Sequence, residues 1–178
     1  MYIEECNQMS TQEHKQAAPN RVHCKVITVS DTRNKDTDKS GKLMMEMLES
    51  AGHIISDYVI VKDEADPIRN EVLKGCSNQE IDVVLTNGGT GIAMRDVTIE
   101  TLQNLFDKEI TGFGELFRML SYQEDIGSAA LLSRAAAGVV KNKAVFATPG
   151  STGAVKLAMN KLILPEIGHV VSELKKDL

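Results

Sequence analysis

Apolar positions follow two rhythms that alternate along most of the chain. Residues 24–30, 54–61, 81–85 and 144–148 are short apolar runs, rich in β-branched side chains and closed by turn residues, which predicts four strands. Between the first two, Leu43, Met44, Met47, Leu48 and Ala51 recur at helical spacing, and Gly52 stands where a helix C′ residue belongs. Asp66 as a capping acid and Pro67 at the first helical position predict a second helix, with Ile68, Val72 and Cys76 facing inward. Thr98 is expected to cap a third, carrying Ile99, Leu102, Leu105 and Phe106. Residues 111–115, with two glycines, interrupt the pattern, and Leu116, Phe117 and Leu120 suggest a short helix behind them. The Ala-rich stretch 128–140 reads as a helix bearing Ser133 and Arg134. A last helical region carries Val155, Leu157, Met159, Leu162 and Ile163, and Pro165 restarts or kinks it before Ile167, Val170, Val171 and Leu174.

Strands alternating with helices predict an α/β protein: a three-layer α/β/α fold around a mainly parallel sheet. Residues 1–20 are polar and unpatterned, a mobile N-terminal arm or an oligomer contact, and residues 21–178 read as a single α/β domain. With 178 residues and 42% apolar content, one sizeable core is expected. The Met44 and Met47 cluster is read as core filling.

Charge and composition narrow the partners. The net charge is −5 and no basic run occurs, which argues against nucleic acid. Aromatics make up 4% of residues and Trp is absent, so stacking platforms for single strands are not expected either. No apolar window nears the roughly 18 residues of a membrane span, and no signal-peptide core opens the chain, so a cytoplasmic protein is expected. The three cysteines, Cys6, Cys24 and Cys76, are widely spaced and suggest neither a disulfide framework nor a zinc site.

In open parallel sheets the ligand site lies beyond the carboxyl ends of the strands. Here those ends deliver Asp31 and Thr32, then Asp63 and Glu64, then the loop from Gly88 to Asp96, then residues 149–153. Gly88, Gly89 and Gly91 let backbone approach a ligand with no Cβ in the way, and exposed N–H groups in such a turn form an anion-binding concavity. Thr86, Thr90 and Thr98 add hydroxyls; Arg95 offers a phosphate-matched fork and Asp96 a carboxylate for a hard metal ion. The spacing matches neither the Walker loop nor Gly-x-Gly-x-x-Gly. Taken singly, the glycine turn reads equally as structural and Arg95–Asp96 as a solvated pair. Together they indicate phosphate chemistry. A polyphosphate meeting carboxylates needs compensating charge, which Arg95 and a Mg²⁺ ion held by Asp63 and Asp96 would supply; the other reading of each acid is a helix cap or a surface charge. No Ser–His–Asp or Cys–His arrangement is evident, so positioning and charge neutralisation, not a covalent step, are expected to carry catalysis.

Several motifs in order, spanning about residues 22–167, resemble the MoaB/MogA molybdopterin-binding family: Val29-Ser30-Asp31, Lys62-Asp63-Glu64, Thr86-Asn87-Gly88-Gly89-Thr90-Gly91, Arg95-Asp96-Val97-Thr98, Gly112-Phe113-Gly114-Glu115, Leu132-Ser133-Arg134 and Pro149-Gly150-Ser151. The short length and the Pro-Gly-Ser-Thr ending of the fourth strand point to the MoaB branch. The resemblance implies molybdenum cofactor biosynthesis: Mg-ATP-dependent adenylylation of molybdopterin, giving adenylyl-molybdopterin and pyrophosphate. It implies that Asp63 and Asp96 serve catalysis and hold Mg²⁺, and that Gly88, Gly89, Thr90 and Gly91 hold nucleotide or pterin phosphates. Pro149, Gly150 and Ser151 match a turn lining the pterin or adenylate pocket, and Asp31 and Thr32 match the first-strand loop. Ser133, Arg134, Glu115 and Arg118 match motifs that line the site or serve subunit packing. Asn87 stands where threonine is more usual and is read as a donor beside the ligand.

The resemblance further implies a homotrimer or homohexamer, with other molybdenum cofactor biosynthesis enzymes as further partners. Two other readings stay open. One is a catalytically silent molybdopterin-binding or scaffold protein. The other is a nucleotide diphosphate hydrolase of the competence-damage type, for which a longer chain with an appended domain is expected. The retained acidic pair favours the enzyme.

Overall fold

The computed structural model describes Pro19 and residues 21–176; the proposed arm, Pro19 apart, lies outside them. Its strands are β1 (His23–Val29), β2 (Ile54–Val61), β3 (Val83–Asn87), β4 (Lys108–Glu109), β5 (Ala136–Val140) and β6 (Lys143–Thr148). They form one sheet in the order β2-β1-β3-β6-β5-β4. The first four neighbours run parallel, whereas β5 is antiparallel to both β6 and β4. The helices are α1 (Lys39–Ser50), α2 (Ala65–Ser77), α3 (Thr98–Gln103), α4 (Thr111–Glu124), α5 (Thr152–Ala158) and α6 (Leu164–Lys175). A 3₁₀ turn (Gly127–Leu132) precedes β5, and a π turn (Met159–Ile163) joins α5 to α6.

Strand parity sorts the core into two layers. Val26, Leu85 and Phe146 face one side, packing with Met44, Leu48, Phe117, Val155 and Ile163 from α1, α4, α5 and the π turn. Their strand neighbours Ile27, Val84 and Val145 face the other side, packing with Ile68, Val72 and Leu102 from α2 and α3. This is the three-layer α/β/α architecture expected from the sequence.

Two expectations require correction. The stretch 128–140 is not a helix: it is the 3₁₀ turn followed by β5, which returns along β6 through Lys141 and Asn142 at φ 49° and 59°. Two consecutive positive-φ residues make a hairpin turn matched to strand twist, and an apolar run such as Ala136–Val140 cannot be assigned by periodicity alone. Nor do residues 111–115 interrupt a helix. They open the 14-residue α4, and Gly114 is there because a Cβ would stand 2.6 Å from the Ala135 carbonyl oxygen.

Smaller shifts occur at element ends. The third strand runs from Val83 to Asn87, so Asn87 belongs to the sheet. Helix α2 is preceded by Glu64 and starts at Ala65, which leaves Asp66 and Pro67 inside its first turn; Pro165 likewise sits in the first turn of α6. Val97, not Thr98, is the N-cap residue of α3. No helix among the described residues is long and apolar enough to cross a membrane.

Candidate functional site

The carboxyl ends of β1, β3 and β6 surround a cavity of about 310 Å³. The β1 end contributes Ser30 and Arg33; the β3 end contributes Gly88, Gly89, Thr90, Gly91 and Asp96; the β6 end contributes Pro149 and Gly150. The segment ahead of β5 closes it with Ser133 and Arg134.

Chain reversal at the β3 end depends on Gly88 (φ +101°) and Gly89 (φ +64°), a backbone region that L side chains rarely adopt. A Cβ on Gly88 would overlap the Val29 carbonyl oxygen, and one on Gly89 would overlap Thr98 Oγ1 and stand 2.7 Å from Asp63 Oδ1. The loop is pinned where it starts by Gly88 N–H donating to Thr148 O (3.0 Å), and further on by Thr98 N–H donating to Gly89 O (3.0 Å). Asp96 folds back on it, accepting from Ala93 N–H at 2.8 Å.

Asp63 lies behind Gly89, just beyond β2. Its N–H donates to Asp31 Oδ1 at 3.2 Å, while its own Oδ1 is buried without a hydrogen-bond partner, as are Thr86 Oγ1 and Thr98 Oγ1. Burial raises the Asp63 carboxyl above its usual range, and the nearby charges of Asp96 and Asp31 add to this, against the Val97 N–H and Arg95. A desolvated carboxylate oxygen beside two further carboxylates and an anion-binding loop is the donor chemistry of a hard cation shared with phosphate. Among the described residues no group of three or more His, Cys, Asp or Glu is arranged to hold a metal ion, so protein donors here would be limited to the one or two carboxylates, Asp63 and Asp96, that Mg²⁺ takes when phosphate oxygens complete its shell.

Other expected residues take other places. Arg95 turns away to Asp31 (Nη2 to Oδ2, 2.7 Å), is two-thirds exposed, and is not on the cavity wall. Thr32 is exposed, its N–H donating to Ser30 Oγ at 3.3 Å. Ser151 caps α5 by accepting from Ala154 N–H at 3.2 Å. Asn87, read as a donor beside the ligand, is instead fully buried: Nδ2 donates to Thr28 Oγ1 (3.0 Å) and Oδ1 accepts from Ser40 Oγ (2.7 Å). Glu115 and Arg118 line a second cavity of about 370 Å³ that shares Arg134 with the first.

Nothing local in the sequence marks Arg33 as a site residue, and the family motif leaves Arg134 open between site and packing. Arg134 donates from Nε to Thr90 O (2.9 Å) and from Nη2 to Gly91 O (2.6 Å) and Asp96 O (3.3 Å), with Glu100 as its ion-pair partner. Arg33 donates to Gly150 O at 2.9 Å. Both reach across the chain to backbone carbonyls, so no local motif announces them.

The glycine loop, with the buried, unpartnered Asp63 Oδ1 behind it, thus stands at the carboxyl edge of a largely parallel sheet, where open α/β domains bind their ligands. Residues 25–169 match the family described as a probable molybdopterin binding domain. The chain is 68% identical over 169 residues to molybdenum cofactor biosynthesis protein B of Bacillus subtilis (strain 168), covering 95% of this chain and 99% of that one. It is 60% identical to the protein of the same name from Bacillus cereus, covering 95% and 100%. A crystal structure of molybdenum cofactor biosynthesis protein B superposes with a TM-score of 0.86 at 61% identity, covering 88% of this chain and 98% of that one. The tungsten cofactor synthesizing protein MoaB from Pyrococcus furiosus superposes at 0.79 and 39% identity, covering 89% and 100%. The chain belongs to the MoaB/MogA molybdopterin-binding family.

Proposed function

We propose that this protein acts in molybdenum cofactor biosynthesis as a molybdopterin adenylyltransferase, transferring AMP from Mg-ATP to the terminal phosphate of molybdopterin. The observation that carries the reading is the buried, unpartnered Asp63 Oδ1 behind Gly89, coupled to Asp96 at the wall of the cavity. Family membership and the names of the curated relatives support the substrate.

In this reaction an oxygen of the molybdopterin phosphate attacks the α-phosphorus of ATP, a new P–O–P bridge forms, and the α–β bridging bond breaks with the electron pair leaving on pyrophosphate. Both reactants are anionic, so the barrier is lowered by holding them in line and offsetting charge. The N–H groups of residues 89–91 orient phosphate oxygens, and Asp96 and Asp63 would hold Mg²⁺, which neutralises charge on the phosphates when bound. No side chain needs to accept a proton from the ionised phosphate, and no histidine is required.

Incubation with Mg-ATP and molybdopterin, followed by mass spectrometry, should yield a product heavier than molybdopterin by one adenylyl group. Molybdopterin binding without that product would leave the scaffold reading; AMP and pyrophosphate formed without molybdopterin would leave the hydrolase. We further propose self-association, as a trimer or pair of trimers, through the apolar surface of Met119, Tyr122 and Leu131, which flank a groove of about 490 Å³. A monomeric mass in solution would contradict it.

A further inference from the structure

We propose that Arg33 is the phosphate-contacting cation of this cavity, and that the buried carboxylate of Asp38 aims it through a one-way hydrogen-bond relay.

Three arginines approach the site, and two are already committed. The Arg134 fork is spent on the Thr90, Gly91 and Asp96 carbonyls and its charge is paired with Glu100. Arg95 is paired with Asp31 off the cavity wall. Arg33 lines the cavity, and its side chain is 30% exposed. Its Nη1 donates to Ser40 Oγ and approaches Asp38 Oδ1 at 3.5 Å, and Nη2 donates to Gly150 O at 2.9 Å. Its Nε–H takes no partner among the described residues, which leaves part of the planar fork for an oxyanion.

Asp38 is fully buried, and its ion pair with Arg33, at 3.5 Å, is the longest of its hydrogen-bonding contacts. It accepts from Thr28 Oγ1 (2.6 Å), Tyr58 OH (2.6 Å) and Gly41 N–H (3.0 Å), all neutral donors. The short contacts to the carboxylate thus come from neutral donors, and Arg33, its charge only partly offset at 3.5 Å, keeps the Nε–H edge of its fork for a ligand. The donors run in one direction: Arg33 to Ser40, Ser40 to Asn87, Asn87 to Thr28, and Thr28 to Asp38. Each hydroxyl accepts from one side and donates to the other, so the relay polarises cooperatively. Asn87 immediately precedes Gly88, so the same relay fixes the cation relative to the N–H groups of the glycine loop.

The ligand class is a phosphate or diphosphate oxyanion. The inference rests on the proposed reaction only for which phosphate that is. The test is calorimetric titration of the full chain with inorganic pyrophosphate and Mg²⁺. Saturable binding should weaken at least about tenfold in Arg33→Ala, the scale of a charge-assisted hydrogen bond. Arg33→Lys, which keeps the charge but loses the fork, should weaken it about threefold or more. Tyr58→Phe removes a donor to Asp38 without touching the cavity and should also weaken binding, with Arg33 still present. Unchanged affinity in Arg33→Ala, or in Arg33→Lys should the alanine variant not fold, would overturn the proposal. So would the absence of saturable binding by the unmodified chain. Weakened pyrophosphate binding alongside no adenylylated product sinks the reaction and leaves this inference standing; full turnover by Arg33→Ala does the reverse.

Discussion

Arg134 holds Gly91 by its carbonyl, Nη2 to O at 2.6 Å, and the neighbouring Thr90 carbonyl by Nε at 2.9 Å. In a planar trans peptide the C=O and the following N–H point in opposite directions. Tying back these two carbonyls therefore turns the N–H groups of Gly91 and Ile92 away from Arg134. Replacing Arg134 with alanine should release the loop, cost about 1–3 kcal/mol through partners left unpaired, and weaken nucleotide binding. Urea unfolding and nucleotide titration of the variant check both effects, and unchanged values in both would remove Arg134 from the account.

Gly89→Ala should be severe. The added Cβ must share space with Thr98 Oγ1 and Asp63 Oδ1 at a positive φ, so the variant strains the backbone by about 1–3 kcal/mol and displaces the carboxylate. Gly112→Ala is its control. Nothing lies within 4 Å of a Cβ there, and the position is in the first turn of α4, so stability should be unchanged or rise by up to about 1 kcal/mol. Thermal melts of the pair, with adenylylation measured beside them, separate the cavity effect from a general glycine effect.

The buried Asp38 carboxylate gives an acid-dependent contribution to stability. Burial works to raise its pKa, but the Thr28 and Tyr58 hydroxyls, the Gly41 N–H and Arg33 prevail and hold it below the usual carboxylate range. A group whose folded pKa is depressed stabilises the fold above its unfolded value, about 3.9, and loses that contribution as pH falls through the folded value. Asp38→Asn should therefore be less stable than the unmodified chain near neutrality, with the gap narrowing as pH drops below about 4. Denaturant midpoints across that range test it; a constant gap would contradict it.

Lys25 joins three elements from a fully buried position on β1, reaching Asp57 of β2 (2.9 Å) and Glu71 of α2 (2.5 Å). Lys25→Met would leave two carboxylates sharing a partly apolar pocket. Breaking a fully buried pair costs about 3–5 kcal/mol. Because Asp57 and Glu71 keep 40% and 23% of their side-chain surface, solvent screening reduces the expected loss to about 1–3 kcal/mol. Adding Glu71→Gln should recover part of it in chemical denaturation.

Short β-branched runs around Val26 and Leu85 place the parallel strands directly from the sequence, and the structure sorts Val26 and Leu85 into one layer and Ile27 and Val84 into the other. The hairpin of β5 and β6 was hidden because Ala-rich strands and helices look alike over five residues, and Lys141-Asn142 is a less obvious turn than Asn-Gly. Strand parity also fixes the direction of Asn87. It shares a face with Leu85 and pairs in register with Thr28, so its side chain had to enter the α1 layer, not the cavity. That Gly88, Gly89, Gly91, Asp96, Pro149 and Gly150 would gather at one edge of the sheet, where they line one cavity, was legible because strand-end placement is local. Arg33 and Arg134 were not, since the Gly150, Thr90 and Gly91 carbonyls that they reach lie 117, 44 and 43 positions away.

Pyrophosphate release from ATP, in the presence of Mg²⁺ and molybdopterin, measured for the unmodified chain and for Asp96→Asn, tests the central claim most directly. Release should require molybdopterin and fall at least about a hundredfold in the variant, the scale of losing one charge-positioning group. No release from the unmodified chain while molybdopterin remains bound, or equal release from both proteins, would contradict the account.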